Sequence, residues 1–397
     1  MTHLAYFSSG LILLLALCGA VYGLFSVQAS ARLMQEEHWQ EGYLADAASQ
    51  PSITILKPLH GDESGLLGNL ESFLLQEYNG TVQIVFGVAS ADDLAVATVE
   101  ALRLAYPDCD IHCEINAAQH GRNPKISNLI NMHQSTRGDI VVLADSDIRV
   151  APTYLSVIVR ALARPGTGAV SCLYRGKSTG HFWSKLSMLG IDAHFLPNSA
   201  FAIAHRLAQP CFGSTIALRR DTLVRIGGFE ALADQLADDY ALGAAVRALG
   251  LAVTFPPMLV DHVCSESDFR TLWSHDLRWA RTIRAVNPAG YAGSFLTNPV
   301  PLGFIGMLLS GFAMHGIAIA LAVTLSRILT IGRLRGIFSL SPASATLLVL
   351  RDLLSFAVFI WSYSSRQVEW RGASLDVGQH GALQETTRAS KTRYRAP

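Results

Sequence analysis

The chain has 397 residues, with 31 basic and 31 acidic side chains, so its formal net charge is zero. Half of it is hydrophobic and only 16% is charged, below the roughly 25% of an ordinary soluble domain. These values exclude a disordered chain and a basic nucleic-acid binder, so no nucleic-acid partner is expected.

Residues 1–31 carry no Asp, Glu, Lys or Arg. The apolar run at 4–27 is long enough to cross a bilayer, which takes about 20 residues. Only His3 precedes it, whereas a secretory signal begins with a basic segment. The first cation, Arg32, follows it. The positive-inside tendency then predicts an uncleaved anchor with its C-terminal side in the cytoplasm; a cleaved signal is the alternative.

Residues 32–284 hold 21 basic and 27 acidic side chains, a composition close to that of a soluble domain. Short apolar runs at 53–56, 82–88 and 140–144 read as strands. The third is apolar on both faces, as in a buried parallel strand. Helical stretches are predicted at 66–76 and 94–105, the second closed by Tyr106-Pro107. This alternation predicts an α/β fold with a mainly parallel sheet flanked by helices. GxGxxG and GxxxxGK[ST] loops do not occur, so the fingerprints of dinucleotide and P-loop binding are missing. The six cysteines, Cys18, Cys109, Cys113, Cys172, Cys211 and Cys264, form no CxxC pair. Neither a disulfide framework nor a zinc site is signalled.

Ligands of such sheets collect at the carboxyl ends of the strands. Lys57-Pro58, Asp92-Asp93 and Asp145-Ser146-Asp147 follow the three predicted strands. Two carboxylates one residue apart suit a hard divalent cation, with substrate phosphates filling other positions; an Asx turn is the bland alternative. Asp238-Asp239 precedes a helix-like run that Gly250 stops. These acids are either helix-terminal partners or contain a general base. Arg278, Arg281 and Arg284 lie near one helical face beside Trp279. They form either a basic interfacial helix or a diphosphate-binding patch. Asn123-Pro124-Lys125 is uninformative alone.

Two further apolar stretches, 301–326 and 337–363, are separated by a segment with Arg327, Arg333 and Arg335. Arg351-Asp352 interrupts the second. That pair either neutralises itself or breaks the stretch into two interfacial helices. The expected organisation is an anchor at 1–31, a catalytic domain at 50–284, membrane helices at 299–365 and a flexible basic tail at 366–397.

In this order the motifs resemble the membrane-bound inverting glycosyltransferases of GT-A fold, and most closely the ceramide glucosyltransferase-like group, family 21. The strings are Leu56-Lys57-Pro58-Leu59, Asn69 to Phe73, Asp92-Asp93, Asn123 to Leu129, Asp145 to Val150, Asp238 to Tyr240 and Arg278-Trp279. His194 to Pro197, Gly227 to Asp234 and Arg278 to Arg284, with Gly290 to Ser294, resemble the bacterial hopanoid-biosynthesis-associated members. The resemblance implies a UDP-sugar donor, Mg²⁺ or Mn²⁺, and a lipid acceptor in the bilayer. It implies transfer of N-acetylglucosamine to a hopanoid, bacteriohopanetetrol, by a cytoplasm-facing domain on the bacterial inner membrane. Asp239 is then the base, and Asp145 and Asp147 the metal and diphosphate site. Lys57, Pro58, Asp92, Asp93, Lys125 and Asp145 line the nucleotide sugar, and Arg278 and Trp279 flank diphosphate and acceptor. Arg281 and Arg284 are further candidates to share the diphosphate charge. Two departures stand out: His275 replaces the Gln usual in processive synthases, and Asp147 replaces a Gly frequent in ceramide glucosyltransferases. Ceramide glucosylation and a non-enzymatic membrane scaffold are the competing readings.

Overall fold

A computed structural model describes residues 3–35, 50–365, 367–370, 373–377 and 383–384. The predicted strands form as β1 (Ile53–Pro58), β2 (Val82–Val88) and, after β3 (Asp110–Ile115), β4 (Ile140–Leu143). The chain continues through β5 (Ile148–Arg149), β6 (Thr167–Ser171), β7 (Leu173–Ser178), β8 (Ile216–Arg219), β9 (Ala252–Thr254) and β10 (Leu259–Cys264). A seven-stranded sheet has the order β3-β2-β1-β4-β8-β6-β9. Strand β8 alone runs against the others. The expected α/β architecture, a mainly parallel sheet flanked by helices, is the one observed.

Alternation along β1 divides the core. Ile53 and Ile55 pack on one face with Leu70 and Phe73 of the helix Leu66–Leu74. Leu56 packs on the other with Ile126 and Leu129 of the helix Pro124–His133. Phe73 is fully buried against Tyr154, with ring centroids 5.6 Å apart; Phe73→Ala would cost about 3–5 kcal/mol. In-register pairing of β1 with β2 and β4 brings their carboxyl ends to one edge.

A second sheet, β5-β10-β7, lies after the Asp145-Ser146-Asp147 turn. Its register sets His262 opposite Ile148, and Val263 N–H donates to the Asp147 carbonyl at 2.8 Å. His262 is thereby brought to the side of Asp147.

Among the described residues, three helices are long and apolar enough to cross a membrane: Tyr6–Met34, Met314–Phe338 and Ala345–Ser362. A bent pair, Pro288–Thr297 and Pro299–Leu309, turns by 64°. Ala16, Leu302 and Val323 form a shared core between these helices. Gly306 permits close approach there, because a Cβ would strike the Leu13 side chain.

The apolar stretch 301–326 is not one segment. Its first helix ends at Leu309, and the chain turns through Gly311 and Phe312 at φ 64° and 59°. Arg327, Arg333 and Arg335 lie inside the helix Met314–Phe338, not in a loop. Arg351-Asp352 neither breaks its helix nor pairs internally: Ala345–Ser362 is continuous, and the two side chains reach different partners. Of the tail expected to be flexible, Gln367–Trp370, Ala373–Val377 and Leu383–Gln384 form a small antiparallel sheet. The other tail positions lie outside the described residues.

Candidate active site

The site is built at the carboxyl edge of β1, β2 and β4. Lys57, near the end of β1, is wholly buried. Its ammonium donates to the Asp145 carbonyl at 2.7 Å and lies 3.9 Å above the Phe73 ring. Burial pushes its pKa down to about 7, against the attraction of Asp147 and Asp145. Pro58 is buried beside it. These two residues form the floor beneath the Asp145 turn.

Asp93 ties two loops together. Its Oδ1 accepts from Gly61 N–H at 2.8 Å and from Ala95 N–H at 2.9 Å, and its Oδ2 lies 3.5 Å from His60. Gly61 has φ 72°, a conformation that favours glycine. Asp92 is exposed beside it.

Asn123-Pro124-Lys125 gains meaning in three dimensions. Asn123 caps the helix Pro124–His133, accepting from Lys125 N–H at 2.9 Å and Ile126 N–H at 3.1 Å. Proline at the first helical position needs no hydrogen-bond partner. The turn aims Lys125 Nζ at Asp145 Oδ1, 2.7 Å away, and at Asp238 Oδ2, 3.4 Å away. Burial opposes that charge, but Asp145 and Asp238 outweigh it and hold the ammonium's pKa above its usual value.

Asp238 and Asp239 open the helix Asp238–Ala248. Asp239 Oδ2 accepts from Gly213 N–H at 3.0 Å, and Oδ1 from Tyr240 N–H at 2.7 Å. Burial, then the neighbouring Asp238, pushes the Asp239 carboxyl up to about 6. That value suits a general base near neutral pH. A Cβ on Gly213 would stand 3.2 Å from Asp145 Oδ2, 3.3 Å from Lys125 Nζ and 3.7 Å from Asp239 Oδ2. Three functional groups, from the loop after β4 and the first turns of two helices, thus converge on one glycine.

Asp147 faces His262 Nδ1 at 3.3 Å, and its Oδ1 is buried with no hydrogen-bond partner. Burial and Asp145 push the Asp147 carboxyl up to about 7, while burial lowers His262 to about 4. His262 is therefore neutral at pH 7, with a lone pair available to a metal. An orphaned carboxylate oxygen and a neighbouring imidazole are donor types that a divalent cation accepts, but among the described residues no three His, Cys, Asp or Glu side chains are gathered closely enough to hold one. His262 was not apparent in the sequence, because only the register of β10 brings it to Asp147.

Trp279 lies within the helix Phe269–Val286. Its ring centroid is 4.6 Å from His275, 5.8 Å from His262 and 6.5 Å from Phe195. His275 Nδ1 lies 2.8 Å from Glu266. Arg278 precedes Trp279 on this partly buried helix surface. The other two arginines serve elsewhere. Arg281 donates to the Gln367 carbonyl at 2.6 Å, and Arg284 to the Ser362 and Ser365 carbonyls. Arg284 thus closes the end of the helix Ala345–Ser362.

The chain is 21% identical over 353 residues to ceramide glucosyltransferase 1 of Caenorhabditis elegans, covering 86% of this chain and 75% of that protein. It is 26% identical over 369 residues to ceramide glucosyltransferase 3 of the same organism, covering 85% and 75%. Among solved structures it is similar to the mannosyltransferase PcManGT from Pyrobaculum calidifontis, in complex with GDP-Man and Mn²⁺. That likeness has 19% identity and a TM-score of 0.49, over 89% of this chain and 98% of the other. The profile of glycosyl transferase family 21 matches residues 11–383. The chain, with its apolar helices and its polar edge of carboxylates and lysines, belongs to glycosyl transferase family 21 and is a membrane glycosyltransferase.

Proposed function

We propose that the chain is an inverting lipid glycosyltransferase that moves N-acetylglucosamine from UDP-N-acetylglucosamine to a hydroxyl of bacteriohopanetetrol. The observation that carries the reading is the convergence of Asp145, Lys125 and Asp239 on Gly213, in a domain packed against apolar helices. The donor comes from water and the acceptor from lipid, so the site belongs at the membrane face. In this reading the catalytic domain faces the cytoplasm of a bacterial inner membrane.

Asp145 and Asp147, with His262 beside Asp147, would hold the divalent cation. Once bound, Mg²⁺ or Mn²⁺ supplies positive charge to the UDP leaving group. Lys125 balances Asp145 and Asp238, and Lys57 fixes the turn from beneath. Asp92 and Asp93 serve the uridine side. Arg278 adds charge at the diphosphate, and Trp279 backs the acceptor. Asp239 takes the acceptor's hydroxyl proton as that oxygen attacks the anomeric carbon. The bond to UDP breaks in line, its electron pair leaves with UDP, and configuration inverts. Backbone donors from Gly213 and Tyr240 orient Asp239 for this task.

Ceramide glucosylation is the second reading, and the names of the two nematode relatives favour it. The hopanoid reading rests on the strings His194 to Pro197, Gly227 to Asp234 and Arg278 to Arg284, with Gly290 to Ser294. Incubating purified protein with UDP-N-acetylglucosamine or UDP-glucose, each with bacteriohopanetetrol or ceramide, separates them by mass analysis of the lipids. A hopanoid carrying N-acetylglucosamine is the expected product. Glycosylated ceramide without a hopanoid product overturns the choice of acceptor.

A further inference from the structure

Arg351 and Asp352 are adjacent on the helix Ala345–Ser362, and both are buried. Arg351 Nη1 stands 2.8 Å from Asp276 Oδ2. Its guanidinium fills the space beside Gly190, where a Cβ would collide with it. Asp352 lies 2.7 Å from His194 Nε2, and accepts from Arg327 at 3.0 and 3.1 Å. Arg327 also donates to the Ala193 carbonyl at 2.8 Å.

The two partners lie on different parts of the catalytic domain. Asp276 sits on the helix Phe269–Val286, three residues before Trp279. His194 sits on a π-helical turn, Ile191–Phe195, next to Phe195. The Trp279 and Phe195 rings are 6.5 Å apart, and both meet Tyr174, at 6.3 and 4.3 Å. One dipeptide of an apolar helix therefore holds the two elements that carry this aromatic wall. The far end of the Trp279 helix is pinned as well, by Arg284 on the Ser362 and Ser365 carbonyls.

Physical cost argues that position, rather than stability, is what the charges provide. A buried ion pair is often no more stabilising than packed apolar side chains, because both charges lose their water. Charges inside an apolar segment carry a further cost. An apolar contact would hold the helices together, whereas a charge pair specifies which residue faces which.

We propose that Arg351 and Asp352 are positioning residues that hold Trp279 and Phe195 in register with Asp239, and so set the acceptor side of the reaction. The inference rests on the lipid-transfer reading. It separates acceptor use from donor binding, because the donor side is held by loops that Arg351 and Asp352 do not touch.

The test uses the full chain, purified into lipid nanodiscs, with Arg351→Gln as the variant. Calorimetry gives UDP affinity in Mn²⁺, and transfer assays give kcat and KM for the lipid. Misplaced groups of this kind cost on the order of 10²-fold, so kcat/KM for the lipid should fall roughly 10–100-fold through a raised lipid KM, while UDP affinity stays within about threefold. Should Arg351→Gln fail to fold, Arg351→Lys is read by the same criterion: it keeps the charge and loses the planar fork. Unchanged transfer, or a parallel loss of UDP affinity, overturns the inference. Wild-type protein that binds UDP yet glycosylates no lipid overturns the underlying reading instead.

Discussion

Two polar clusters in this molecule, one partly buried and one buried, differ in charge balance. At the sheet edge, Asp145, Asp147, Asp238 and Asp239 gather around Lys57 and Lys125. Burial pushes three of those carboxyls up, and one oxygen of Asp147 has no partner. At the helix interface, Asp276 and Asp352 are matched by Arg351 and Arg327, with His194 added. The first cluster gathers four carboxyls, which suits a cation and a proton. The second sets two carboxylates against two guanidinium groups, which suits a joint.

The largest test of this contrast is Asp239→Asn. A general base contributes ~10²–10⁴-fold, so turnover should drop at least about a hundredfold while UDP affinity in Mn²⁺ is retained. Near-normal turnover removes Asp239 from the role. His262→Ala comes next. Loss of support at a metal site typically costs about 10–100-fold in affinity, and a Mn²⁺ titration followed by UDP binding measures it.

The joint should respond differently. Arg327→Met leaves Asp352 with His194 alone, and removing one partner of a buried pair costs about 3–5 kcal/mol. A lowered thermal midpoint is expected, with UDP affinity unchanged in the folded fraction. Acidity gives the mildest perturbation. Asp239 accepts a proton only when ionised, and its carboxyl is held at about 6. Transfer measured as kcat/KM should therefore be level above that pH and fall about tenfold per unit below it. A profile flat to pH 5 would remove the raised carboxyl from the mechanism.

The first cluster was largely legible in the sequence, because its groups follow apolar strands. β1, β2 and β4 are local signals, and each delivers a polar residue to the same edge. β3 was missed because its burial is partial and its residues include Asp110, His112 and Glu114. Lys125 looked uninformative because its neighbours Asp145 and Asp238 are distant in sequence. His262 and Gly213 depend on strand register and on a loop crossing, and neither leaves a local pattern. The second cluster was hidden for a related reason. Arg351-Asp352 are neighbours in sequence, yet helical geometry sends them to Asp276 and to His194 with Arg327. The break at Gly311 and Phe312 was masked by uniform hydrophobicity, so the apolar span was drawn too early in the chain.

The central claim is a single in-line displacement with Asp239 as base. Anomeric configuration of the lipid product, read by proton NMR of the sugar, tests it most directly. The sugar of UDP-N-acetylglucosamine and UDP-glucose is α-linked, so a β-linked glycolipid is the expected result. An α-linked product would contradict the account.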